Sequence, residues 1–141
     1  KLVNGLLALP GKDKINIIWH GGEPLLMGMD FYREVVSLQK KLSGSYPGKR
    51  IENCFQTNAT LINEEVIDFC EENDFQLGCS LDGPEEVHNK TRVYGNERGS
   101  FNEVWKGIKL IRKRNEYLAS QGKKNSLGGG AIVVLSKKNL G

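Results

Sequence analysis

The sequence predicts an α/β fold, a parallel sheet whose strands are joined by crossover helices. Apolar spacing alternates four times between the two-residue period of a strand and the three-to-four-residue period of a helix. Polar side chains gather at the late positions of successive strands: His20, then Gln56 with Asn58, then Ser80 with Asp82. In parallel α/β folds such positions converge on one mouth, where barrels and open sheets keep their sites. With 141 residues, 38% of them hydrophobic, the chain is at most one ordinary domain with a real core.

Each element has a local reason. Leu2, Val3, Leu6 and Leu7 have helical spacing, and Pro10-Gly11 ends that helix. Lys14 to Trp19 reads as the first strand. Asp30 is the expected cap of a helix carrying Phe31, Val35, Leu38 and Leu42 on one stripe, with Lys40 and Lys41 complementing its far end and Gly44 stopping it. Ile51 to Gln56 is the second strand. Asn63 caps the next helix, with Glu64 and Glu65 in the first turn and Val66, Ile67, Phe69 and Cys70 on the buried side. Phe75 to Leu81 alternates as the third strand. Ser100-Phe101-Asn102-Glu103 has capping-box form and opens a long helix through Val104, Trp105, Ile108 and Ile111. Ala131 to Leu135 is the last strand.

Composition narrows function. A formal charge of +3 makes no electrostatic case for nucleic acid, and no run of about 18 apolar residues spans a membrane. Cys54, Cys70 and Cys79 lack any close ligand spacing and have apolar neighbours, so they read as free buried thiols of a reducing, cytoplasmic compartment. The chain starts at Lys1 without a methionine or a signal-peptide pattern, which suggests a piece of a longer protein.

The chemistry concentrates in a few segments. Trp19-His20-Gly21-Gly22-Glu23-Pro24 ends the first strand with two glycines, a carboxylate and a proline, a costly combination for ordinary packing. Gln56-Thr57-Asn58-Ala59-Thr60-Leu61 ends the second and Ser80-Leu81-Asp82-Gly83-Pro84 the third. His88, Arg92 and Gly99-Ser100-Phe101 follow. In this order and spacing, over nearly the whole chain, the set resembles radical S-adenosylmethionine (radical SAM) enzymes. The branch it resembles contains anaerobic sulfatase-maturating enzymes and the related SPASM-type peptide maturases.

The resemblance implies a partial (β/α) barrel, of which residues 1–141 would be the central part, four strands from the second onward. It implies two cofactors, S-adenosylmethionine and a [4Fe-4S] cluster with one open iron. Their reaction gives a 5'-deoxyadenosyl radical that abstracts hydrogen from a protein or peptide substrate, such as the cysteine or serine that sulfatase maturation oxidises to formylglycine. Gly21, Gly22 and Glu23 would meet the methionine amino group, and Ser80 and Arg92 its carboxylate or the ribose. Gln56 and Asn58 match mouth positions near cofactor and substrate, and Asp82 orders its loop. The family's CxxxCxxC cluster cysteines are absent, as is the C-terminal domain for auxiliary clusters, so the expectation is an inactive fragment with the cluster ligands elsewhere. Two smaller departures are Ala59, where the family often has glycine, and Asn89, where it often has aspartate.

Plainer readings stand beside these. Glu23 alone is equally a turn cap, Arg92 a surface ion-pair partner, and His20 and His88 hydrogen-bonded structural residues. Two other function classes fit the composition: a cluster-less module that binds a nucleoside or peptide, and an ordinary barrel enzyme using Glu23 and Asp82 as acid and base.

Overall fold

A computed structural model describes residues 1–123 and 127–137. The elements run α1 (Leu2–Leu7), β1 (Lys14–Trp19), a 3-10 turn (Pro24–Met27), α2 (Met29–Ser43), β2 (Arg50–Thr57), α3 (Glu64–Glu72), β3 (Phe75–Ser80), α4 (Glu85–His88), α5 (Phe101–Ser120) and β4 (Gly128–Ile132). The strands form one sheet in the order β1-β2-β3-β4, and each neighbouring pair is parallel. This is the expected α/β architecture, with all carboxyl ends at one edge.

The sheet buries one face. Phe55, Phe75, Leu77 and Cys79 point to the helices and lie with Tyr32, Val36, Val66, Phe69, Val104 and Ile111 in a continuous core, while Ile15 is buried apart from it. The aromatic rings of Tyr32, Phe55, Phe69 and Phe75 meet at centroid distances of 4.6 to 6.5 Å, mostly edge-on or tilted, as ring quadrupoles favour. Asn53 is a buried polar residue on this same face, and it is satisfied. Its amide exchanges hydrogen bonds of 3.0 and 2.9 Å with Gln39, and its Oδ1 also accepts from Trp19 Nε1 at 3.0 Å.

Several local expectations give way. The stripe of α2 that reaches the core is Met29, Tyr32, Val36 and Gln39. Val35, Leu38 and Leu42 instead line a groove of about 430 Å³ with Leu2 and Val3. The helix carries two apolar stripes, and spacing alone does not rank them. Asp30 lies inside the first turn and pairs with Arg33 at 2.6 Å instead of capping. Ser100 precedes α5 but makes no side-chain cap bond, and Glu103 pairs with Arg98. The Oδ1 of Asn89 accepts from Phe101 N at 3.1 Å in the place of the capping box. β4 starts earlier than expected, because Gly128 lets the backbone approach β3 so closely that a Cβ there would lie 2.9 Å from Leu77 O. Asn63 caps α3 as expected, accepting from Val66 N at 3.0 Å.

Candidate functional site

At the carboxyl edge, β1 runs out through His20 into Gly21 and Gly22, with φ of 102° and 58°. Residues with side chains rarely adopt such values. Both glycines are exposed, and a Cβ built on either would meet nothing within 4 Å. The glycines are therefore not filling a tight packing gap. They leave an open, exposed length of backbone just past the carboxyl end of β1.

Glu23 fixes that backbone in place. Its Oε1 accepts from Leu25 N at 3.0 Å and from Thr57 Oγ1 at 2.6 Å, and its Oε2 accepts from Asn58 N at 2.7 Å. The turn-capping reading is thus correct but incomplete, since the same carboxylate also binds the β1 end to the β2 end. An ionised carboxylate has about four acceptor positions. One on Oε2 remains for a ligand.

The end of β2 is a compact turn. Thr57 Oγ1 accepts from Ala59 N at 3.0 Å, and Asn58 Oδ1 accepts from Thr60 N at 3.0 Å and Thr60 Oγ1 at 2.8 Å. The Asn58 side chain is folded over its own turn. On the sheet face opposite the core, Gln56 Nε2 donates to Ser80 Oγ at 3.3 Å, which joins β2 to β3. His20 is exposed and apart from the other histidine.

Beyond β3, Asp82 and Arg92 form a two-bonded fork. Arg92 Nε donates to Oδ2 at 2.7 Å and Nη2 to Oδ1 at 3.0 Å. Val134 N adds a bond to Oδ1 at 3.0 Å, and Thr91 Oγ1 one to Oδ2 at 3.3 Å. Burial works against the charge on Asp82, but the guanidinium and the Val134 amide outweigh it and hold its pKa below the usual carboxylate value. The loop-ordering part expected of Asp82 has this concrete form. The Arg92 side chain keeps about a quarter of its surface exposed, at 24%. Its Nη1 amine and second Nη2 proton have no protein partner among the described residues.

The structure brings Gly21, Gly22, Glu23, Gln56, Asn58 and Ser80 to one edge of the sheet, with Arg92 at the β3 exit. Thr57 is a connecting residue that sequence reasoning left without a role. A hydroxyl beside a motif carries no signal of its own until the partner strand is known. The cysteines do not fit a cluster. Burial pushes the Cys70 thiol up to about 12 and Cys79 to about 11, which disfavours the thiolate a metal needs. Among the described residues no three His, Cys, Asp or Glu side chains group as metal ligands. Nor is any helix there long and apolar enough to cross a membrane.

Comparison with known proteins bears on this edge. The Radical SAM superfamily profile matches residues 2–118. A serine-type anaerobic sulfatase-maturating enzyme of Bacteroides thetaiotaomicron is 42% identical over 95 residues, covering 67% of this chain and 22% of the relative. A cysteine-type enzyme of Clostridium novyi is 43% identical over 97 residues, covering 67% and 25%. The chain thus spans about a quarter of the length of these curated relatives. A solved structure described as native anSMEcpe with bound AdoMet and Kp18Cys peptide superimposes with a TM-score of 0.72 at 35% identity, over 79% of this chain and 30% of that one. These matches favour the enzyme family over the cluster-less binding module.

Proposed function

Since the chain belongs to the Radical SAM superfamily, we propose that it forms the S-adenosylmethionine-binding wall of a protein- or peptide-maturing enzyme. In this reading residues 1–141 are the central part of the radical SAM domain, and sulfatase maturation is the favoured activity, as its relatives' names suggest. The observation that carries the reading is the open Gly21-Gly22 backbone held rigid by Glu23.

The residues fit S-adenosylmethionine by donor and acceptor type. Carbonyls of Gly21 and Gly22 and the spare position on Glu23 Oε2 suit the ammonium of the methionine moiety. The free outer edge of the Arg92 guanidinium suits the carboxylate, with Ser80 near the carboxylate or ribose end. Gln56 and Asn58 shape the mouth. Bound together, S-adenosylmethionine and a [4Fe-4S] cluster supply radical hydrogen abstraction. The described residues offer no set of cluster ligands, so we assign those to other parts of the whole protein. The work of this chain is to bind and orient.

The test uses the full-length protein, loaded anaerobically with iron and sulfide and supplied with dithionite, S-adenosylmethionine and a sulfatase-derived peptide. Release of 5'-deoxyadenosine together with an aldehyde on the peptide is expected. The isolated 141-residue chain should give neither product. Nucleoside release by the isolated chain, or none by the loaded full-length protein, overturns the reading.

A further inference from the structure

His88 is fully buried, at 0% exposure, although nothing in the proposed pocket requires a histidine there. Its two ring nitrogens face different partners. Nδ1 lies 3.3 Å from Asp82 N, and Nε2 lies 3.1 Å from Ser100 Oγ. A backbone N–H can only donate, so Nδ1 is the acceptor and the ring proton sits on Nε2. Nε2–H then donates to Ser100 Oγ, and the Ser100 hydroxyl donates onward to Arg92 O at 2.8 Å. The result is a directed chain from Asp82 N–H through His88 and Ser100 to the Arg92 carbonyl. The Arg92 guanidinium on the Asp82 carboxylate closes it into a ring.

Other bonds make the ring stiff. Arg92 N donates to His88 O at 3.0 Å and Ser100 N to Arg92 O at 3.1 Å. Phe101 packs against the imidazole at 5.8 Å between centroids. Both members of the ion pair, ten residues apart in sequence, thus have their main chain set by one imidazole and one hydroxyl. The direction of the guanidinium follows from where those two main-chain segments sit. Its Nε and Nη2 are committed to Asp82, which leaves Nη1 without a protein partner among the described residues on a side chain that is 24% exposed.

We infer that His88 and Ser100 are positioning residues that aim Arg92 at the carboxylate of S-adenosylmethionine, without touching the ligand themselves. This rests on the pocket reading above. Removing the Ser100 hydroxyl leaves the His88 Nε2–H without an acceptor in a buried site. The ring then loses either its tautomer or its bond to Asp82, and the Arg92 arm is no longer fixed.

Equilibrium binding to the full-length protein tests this with two ligands, S-adenosylmethionine and its decarboxylated analogue. Wild type should prefer the carboxylate-bearing ligand. Ser100→Ala should weaken S-adenosylmethionine about fivefold, the effect of one hydrogen bond, and change affinity for the decarboxylated analogue by less than about twofold. Ser100→Thr, which keeps the hydroxyl, should restore binding, and His88→Gln should resemble Ser100→Ala. Ser100→Ala removes a single oxygen, so it carries the test if the His88 variant does not fold. Wild-type affinity of Ser100→Ala for both ligands overturns the inference. An equal loss for both also overturns it, since that is what general structural damage produces. A wild type that binds the two ligands equally removes the carboxylate clamp and the inference with it. A wild type that binds neither overturns the pocket itself.

Discussion

Single side chains at the mouth serve two neighbours at once, and Glu23 does so most fully. It caps the 3-10 turn through Leu25 N and joins two strand ends through Thr57 and Asn58. The departures noted in the sequence also have a residue-level account. Ala59 sits at φ 64° with its methyl fully buried, a conformation that glycine adopts more easily. At Asn89 only the oxygen acts as an acceptor for Phe101 N, and aspartate has the same acceptor. His88 makes stability depend on pH. Burial first, then the nearby Arg92 charge, lowers its pKa, while Asp82 opposes them. The unfolded chain takes up a proton near its ordinary value of about 6.5, and the folded chain resists. Stability is therefore complete above about 6.5 and falls as pH drops below it. Thermal melting of the full-length protein at pH 7.5 and 5.5, taken here as about one unit either side of that value, should show a decrease that is smaller in His88→Gln. An undiminished decrease in the variant would refute this role.

Between elements, α5 is the main brace of the mouth. Gly107 lies against the turn after β2, and a Cβ there would sit 2.5 Å from Ala59 O and 3.1 Å from the Ile62 Cβ. Backbone cannot yield as a side-chain tip can. Gly107→Ala should cost about 1–3 kcal/mol by overpacking, read as a lower denaturation midpoint of the full-length protein, and a neutral result would mean that helix and turn separate easily. The far half of α5 is tied to α3 by Arg114, which reaches Glu71 at 2.6 Å and Asp68 at 2.7 Å. Strands and helices were legible because period and caps are local: Asn63 announces α3, and Phe75, Leu77 and Cys79 announce the buried face of β3. The core stripe of α2 was not, because Leu38 and Val36 look alike until α1 and the sheet compete for the helix. The proposed site residues come from a resemblance. The ties of Glu23 to Thr57 and of His88 to Ser100 were not legible, since each joins residues distant in sequence through one polar atom.

On the scale of the molecule the sheet has unequal faces. One is sealed by helices, and the other leaves Ile18 at 64% exposure and Ile132 at 52%. Apolar side chains this open suit a surface that further chain covers, in keeping with relatives of which the matched stretch covers only 22% and 25%. Its edge strands, β1 and β4, present backbone groups that pair readily with another strand. The ties across the mouth carry a consequence for the order of folding. Glu23 meets Asn58 across 35 residues, and Asp82 meets Val134 across 52. Each tie closes a long loop for few hydrogen bonds, which do not offset the entropy lost until the strands have already paired. The mouth should therefore be the last part of this region to set. In pulse-labelled hydrogen exchange on the full-length protein, the amides of Asn58 and Val134 should gain protection after those of Phe55 and Leu77. Simultaneous protection would mean that sheet and mouth form in one step. If the order holds, a chain that stalls late in folding has a nearly complete sheet and no mouth, so mouth-amide protection distinguishes the finished protein from its near-native intermediates.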